Sequence, residues 1–231
     1  MRTRRWRSRG VTVVAICAAG ASLLPGGARA QQKAASLAVG VPVTVLPLQT
    51  AWPTPSGAWP GGANSLQALV DAFDSEVDFA LSEQRATTSW KGPGAVVSMV
   101  QRNPLLKVDP ERLAYEGLDG KEDKKFKDPI YEPLHGQLRS LSALLDTRVV
   151  ALPLRLVYVP ADSVAPGEHQ VAGAQPDSAP ADGHAQVRIA LIDTRSGQVL
   201  WRGWIAGPPA EADSPGLLAG LAGQLVGWLS P

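Results

Sequence analysis

Three histidines, one cysteine and a run of acidic residues are the groups in this chain that could perform acid–base, nucleophilic or metal chemistry. His169 and His184 fall in a stretch rich in Pro, Ala and Gly, residues 160–185. No regular element there would hold an imidazole to the geometry that catalysis demands. His135 stands at the start of a predicted helix, just past Pro133, with no second ligand at His-Glu-x-x-His spacing. Each histidine is expected to be solvated or to serve as a cap. Asp71, Asp74, Glu76 and Asp78 are closely spaced carboxylates, but they share a predicted amphipathic helix and are expected on its solvent side. Gly92-Pro93-Gly94 lacks the Lys-Ser/Thr of a phosphate-binding loop, and no Gly-x-Ser-x-Gly elbow occurs. The residues therefore predict no catalytic group, no metal site and no cofactor. An unrecognised hydrolase would have to use His135 or a carboxylate pair.

The aromatic residues point to binding instead. Trp52 and Trp59 lie on a Pro/Gly-rich loop over residues 50–64, and loop-borne tryptophans on a rigid scaffold are common anchors. They would equally serve as a lid folded onto the core. Trp201 and Trp204 differ in parity along one predicted strand and must face opposite sides of the sheet. Trp201 is expected with Val199 and Ile205 on the core side, which leaves Trp204 under a helix or on a binding surface. A carbohydrate- or small-ligand-binding protein using Trp52 and Trp59 is one reading of this pattern.

Compartment and charge narrow the choice. Arg2, Arg4, Arg5, Arg7 and Arg9 precede an apolar run from Val11 to Leu24, then Pro25-Gly26-Gly27 and Ala28-Arg29-Ala30. That order is a basic region, an apolar region and an A-x-A cleavage site, the pattern of a secretory signal peptide over residues 1–30. The apolar run is shorter than the roughly 20 residues that cross a bilayer core. Cys17 follows Ile16, a bulky residue where a lipoprotein signal wants a small one, so it is expected to leave with the leader. Six of the 22 Lys and Arg lie in residues 1–30, and none of the 21 Asp and Glu do. The remaining chain carries 16 basic and 21 acidic residues, a net charge of −5. An acidic, thiol-free domain without a basic stripe is a poor nucleic-acid binder. About 200 residues suffice for one core held by packing alone.

The elements that would position these groups follow from periodicity. After a flexible lead at 31–40, residues 41–231 read as a single domain. Val41 to Leu48 alternates as a strand, and Pro42 and Pro47 confine it to an edge. Leu66, Leu69, Val70, Phe73, Val77 and Leu81 predict a helix over 65–82. A short strand at 86–91 and a short helix from Gly92-Pro93-Gly94 to Asn103-Pro104 come next. Asp109-Pro110-Glu111 predicts a further helix start, running to about Leu118. Residues 119–128 form a charged connection. Leu134, Leu138, Leu141 and Leu145 predict another helix, and 148–159 a long strand. Residues 160–185 read as a mobile loop and 187–206 as a β-hairpin turning at Asp193–Gly197. The last helix carries Leu218, Leu221, Leu225 and Leu229 on one face. Gly216, Gly220, Gly223 and Gly227 recur along it, offering close approach to the sheet or a surface for a homo-oligomer. The sum is an α/β (α+β) fold, a single mixed sheet with a C-terminal hairpin and helices packed against it.

The hairpin Leu191-Ile192-Asp193-Thr194-Arg195-Ser196-Gly197-Gln198-Val199-Leu200-Trp201 resembles one found in a bacterial envelope family. That family includes the curli secretion channel subunit, the lipoprotein activator of penicillin-binding proteins and the N-terminal domain of the Tol-Pal translocation protein. Val43-Thr44-Val45-Leu46-Pro47-Leu48 is similar to its first strand, and the helix at 65–82 follows as it does there. The sequence departs from the family in lacking a lipobox, in the long insertion at 160–185 and at 92–128. The resemblance implies a non-enzymatic periplasmic or secreted module, associated with the outer membrane in some members, that binds other envelope proteins. It carries over no catalytic residue.

Overall fold

The computed structural model describes residues 42–51, 65–83, 90–118, 130–160, 183–210, 214 and 216–230. Residues 1–41, Trp52, Trp59, His169, the charged connection after Leu118 and most of the expected loop at 160–185 lie outside them. The fold is α/β. Its elements are β1 (Val43–Val45), α1 (Leu66–Glu83), α2 (Pro93–Gln101), α3 (Leu134–Leu145), β2 (Val149–Val159), β3 (His184–Asp193), β4 (Gln198–Ala206) and α4 (Gly216–Leu229). One four-stranded sheet runs β1-β2-β3-β4, with β1 parallel to β2 and the other pairs antiparallel.

Helices cover both faces, so the core is split in two by the sheet. On one side Phe73 and Val77 of α1 and Leu221, Leu225 and Val226 of α4 pack on Val149, Ala151, Val187, Ile189 and Leu191. On the other, Val96 of α2 and Leu138, Leu141 and Leu145 of α3 pack on Val150, Leu152, Leu154, Ala190 and Ile192. Burial on both faces explains why β2 and β3 read as nearly unbroken apolar runs rather than alternating ones.

β1 lies at the sheet edge as expected, but it spans only Val43–Val45 between the two prolines rather than the whole of 41–48. Its sheet-side register with β2 starts at Val43↔Val149. On its outer side Val45 N–H donates to Lys91 O at 2.9 Å, and Thr44 forms a parallel bridge with Lys91. Lys91 is thus the described end of the expected strand at 86–91. Its ammonium donates to Leu145 O at 2.7 Å, which satisfies a terminal carbonyl of α3 and complements the negative end of that helix.

Two bulges change which side residues face. On β2 the register shifts between Pro153 and Arg155, where a proline with no amide donor interrupts a central strand. Leu152 and Leu154 lie on the α3 side, but Leu156 lies on the α1 side. On β4 the shift falls where Leu191 pairs Trp201 and Ile192 pairs Val199. The expectation that Val199 shares a face with Trp201 and Ile205 is therefore wrong. Val199 packs with the α3 cluster, while Trp201 and Ile205 belong to the α1–α4 cluster.

The expected helix from Asp109 to Leu118 does not form. Asp109 does cap a turn, accepting Glu111 N–H at 3.0 Å. The next amides are then taken by distant side chains: Leu113 N–H donates to Gln49 Oε1 at 2.8 Å and Ala114 N–H to Gln137 Oε1 at 3.0 Å. Amides that would have propagated the helix instead fasten the segment to Gln49 after β1 and to Gln137 of α3, and only a 3-10 turn at Glu116–Leu118 remains. The boundary at 185 is corrected as well. His184 and Ala185 belong to β3, where His184 pairs Val159, so His184 is a strand residue and not part of a loop.

Candidate functional site

The turn between β3 and β4 is built around one carboxylate. Asp193 Oδ1 accepts Arg195 N–H at 2.9 Å and Ser196 N–H at 3.2 Å, the bonding that makes Asp a turn former. Its backbone oxygen accepts Gly197 N–H at 2.8 Å, and Gly197 takes φ +70°, which glycine adopts without strain. The other oxygen, Oδ2, receives both Nε and Nη2 of Arg148, at 2.9 and 2.7 Å. Thr194 adds a backbone and a hydroxyl bond to Arg148 O, both 2.9 Å. Burial would raise the Asp193 carboxyl, but Arg148 and the two turn amides outweigh it and hold the group below the usual carboxylate range. The same hydrogen bond and charge raise the Arg148 guanidinium above its ordinary value.

Beside this anchor lies an open hollow of about 680 Å³. Arg139 of α3, Arg148 at the start of β2 and Arg195 of the turn converge on it, with Pro42 before β1 and Asp146 after α3 on its rim. Asp146 closes α3 in the left-handed conformation, φ 48°, and both it and Thr147 donate backbone N–H bonds to Ser142 O. The chain can therefore reverse within two residues and deliver Arg148 to the sheet. Arg139 and Arg195 are exposed and make no ion pair with the described residues. Arg148 keeps 64% of its side chain accessible even while bonded to Asp193. Three guanidiniums face one carboxylate in the hollow, with a second, Asp193, beneath it.

The carboxylates of α1 are not all on its solvent side. Asp74 is half-buried against the segment that follows β1, where both oxygens accept Leu48 N–H, at 3.0 and 3.3 Å. Burial, opposed by that amide and reinforced by Asp78, Glu111 and Asp71, pushes its pKa up to about 7. Asp78 accepts Gly94 N–H at 2.9 Å; its carboxyl is raised by burial, with the amide opposing. Both bonds tie α1 to neighbouring segments. Asp71 and Glu76 complete the set, Asp71 exposed and accepting Gln67 Nε2 at 2.9 Å.

His135 is not solvated as expected. Its ring lies against Gly197, within 3.2 Å of where a Cβ would stand, and Nε2 is buried with no hydrogen-bond partner among the described residues. The described residues hold no cluster of three or more His, Cys, Asp or Glu suited to a metal.

Of the expected binding tryptophans, only Trp204 is described. It pairs Arg188 across β3 and β4, is half-buried, and has the Arg188 guanidinium carbon 5.8 Å from its ring centroid. Trp201 does face the other way, packed against Trp228 with centroids 4.4 Å apart and the rings tilted by 42°. On α4 the glycines divide. A Cβ at Gly220 would stand 2.7 Å from Pro208, and one at Gly216 3.5 Å from the Ser214 hydroxyl oxygen, whereas at Gly223 and Gly227 nothing lies within 4 Å. Arg139, Arg148 and Arg195 were not legible as a group, because no local pattern links a helix face, a strand start and a turn so far apart in sequence.

No helix among the described residues is long and apolar enough to cross a membrane. Family models, curated proteins and solved structures contain no match to this chain.

Proposed function

We propose that the chain is an exported bacterial envelope protein, non-catalytic, that acts in the periplasm by binding another envelope protein. The observation that carries this reading is the hollow. Its convergent groups are guanidiniums, which attract and orient a partner but do not take up or release protons near neutral pH. Of the carboxylates with shifted protonation, Asp74 accepts the Leu48 amide, Asp78 that of Gly94 and Asp193 those of the turn, which leaves Asp146 as the carboxylate on the rim of the hollow. The leader at 1–30 and the likeness of the Asp193 hairpin to envelope proteins supply the compartment and the class of partner.

The experiment places a photo-activatable side chain at Ala143, on the exposed rim of the hollow, and another at Gln224, on the exposed flank of α4. After irradiation of intact cells, the periplasmic fraction is purified and its N-terminus determined. The expected product starts at Gln31 and carries a protein adduct at position 143 but not at 224. Full-length protein retained in the cytoplasm, or no adduct at 143, would rule the proposal out.

A further inference from the structure

We infer that the hollow receives an acidic peptide segment of its partner, with Arg139 and Arg195 pairing successive carboxylates while Arg148 forms a fixed floor. The inference rests on the reading of this chain as a protein-binding domain and gives that binding its chemistry. Guanidiniums bond carboxylate and phosphate alike, so the discrimination must come from the rest of the site.

Compact phosphate dianions are usually cradled by backbone amides or a helix N-terminus. Here the available amides are consumed. Thr194 N–H donates to Arg148 O, and Arg195 and Ser196 N–H donate to Asp193 Oδ1. The helix end at the hollow is the C-terminal end of α3, which carries partial negative charge, and Asp146 sits beside it. A concentrated double charge is repelled there. Single carboxylates spaced along an extended chain can reach Arg139 on one wall and Arg195 on the other while avoiding Asp146.

Long-range charge argues in the same direction. The domain after the leader carries a net charge of −5, so an anionic membrane surface is repelled by the molecule as a whole. A short acidic segment instead meets the local field of three guanidiniums, within a Debye length of about 8 Å at physiological salt. The stretch of this chain that leads into Pro42, residues 31–41, contains Lys33 and no acidic residue, so it cannot supply the carboxylates itself.

The test is fluorescence anisotropy of a labelled hexaglutamate peptide titrated with the exported domain at low and at physiological salt. Binding is expected, weakening as salt rises, with no binding of a labelled hexalysine peptide. The double variant Arg139→Glu/Arg195→Glu should weaken hexaglutamate binding by about tenfold or more. The exposed control Lys107→Glu should change it less than about twofold. Both arginines are exposed, so thermal melts of the double variant should match the parent. Absence of hexaglutamate binding, or affinity unchanged by the double reversal, overturns the inference. So does displacement by inorganic phosphate at an ionic strength where chloride leaves the complex intact. If the Ala143 adduct persists while hexaglutamate fails to bind, the inference falls and the protein-binding function stands. If both fail, both fall.

Discussion

Asp74 keeps a carboxyl group where burial favours its neutral form, and the linkage that follows is measurable. Its folded pKa of about 7 lies above the ordinary 3.8, so between those values the folded protein holds a proton that the unfolded chain has released. Stability from this group is complete below about pH 4 and is lost as pH rises through 7. The melting temperature should therefore fall from pH 5 to pH 7.5. Asp74→Asn, which can still accept the Leu48 amide, should flatten that slope and raise the pH 7.5 melting temperature by about 3 °C or more. An unchanged slope in the variant would show that Asp74 is not the group responsible. Gly197 is a second sensitive position, since alanine there needs φ +70° and meets the His135 ring at 3.2 Å. Gly197→Ala should cost about 1–3 kcal/mol in urea denaturation. Sequence reading placed Gly197 correctly, because Asp-Thr-Arg-Ser-Gly encodes its turn locally. It misplaced Asp74 because that residue flanks the apolar stripe beside Phe73, and only the return of β1 across it decides its burial.

The last helix contains two kinds of glycine. Gly220 lets α4 approach Pro208, and Gly207, on the strand side of the same contact, sits 3.1 Å from Leu221 Cβ when given a Cβ of its own. Close packing within the domain accounts for that end of the helix. Gly223 and Gly227 face open space, where glycine costs a helix about 1 kcal/mol against alanine. The double variant Gly223→Ala/Gly227→Ala should stabilise the domain by about 1 kcal/mol or more, read by thermal or urea melts, with sedimentation unchanged. Loss of stability together with a smaller sedimenting species would instead mean that a second copy docks on this flank. Where the periodic rule failed, it failed for the same kind of reason in each case. A bulge at Leu200 shifts the facing of Val199 relative to Trp201, and the side chains of Gln49 and Gln137 take amides that Asp109 would have passed to a helix. Neither partner is near in sequence, so neither could be seen from periodicity.

Taken whole, the described residues form a sheet with both faces covered, β1 joined to β2 by a crossover that contains three of the four helices described. The class was readable because long apolar runs, amphipathic stripes and the hairpin each report their own environment. The hollow was not, because it exists only where the start of β2, the end of α3 and the β3–β4 turn meet. That meeting depends on Arg148 and Asp193, which are 45 residues apart. One carboxylate thus fixes both the shape of the hairpin and the position of a cation in the hollow. Since Arg148 and the turn amides hold it below the usual carboxylate range, acid would release neither one before the other; both would let go together, as a single latch.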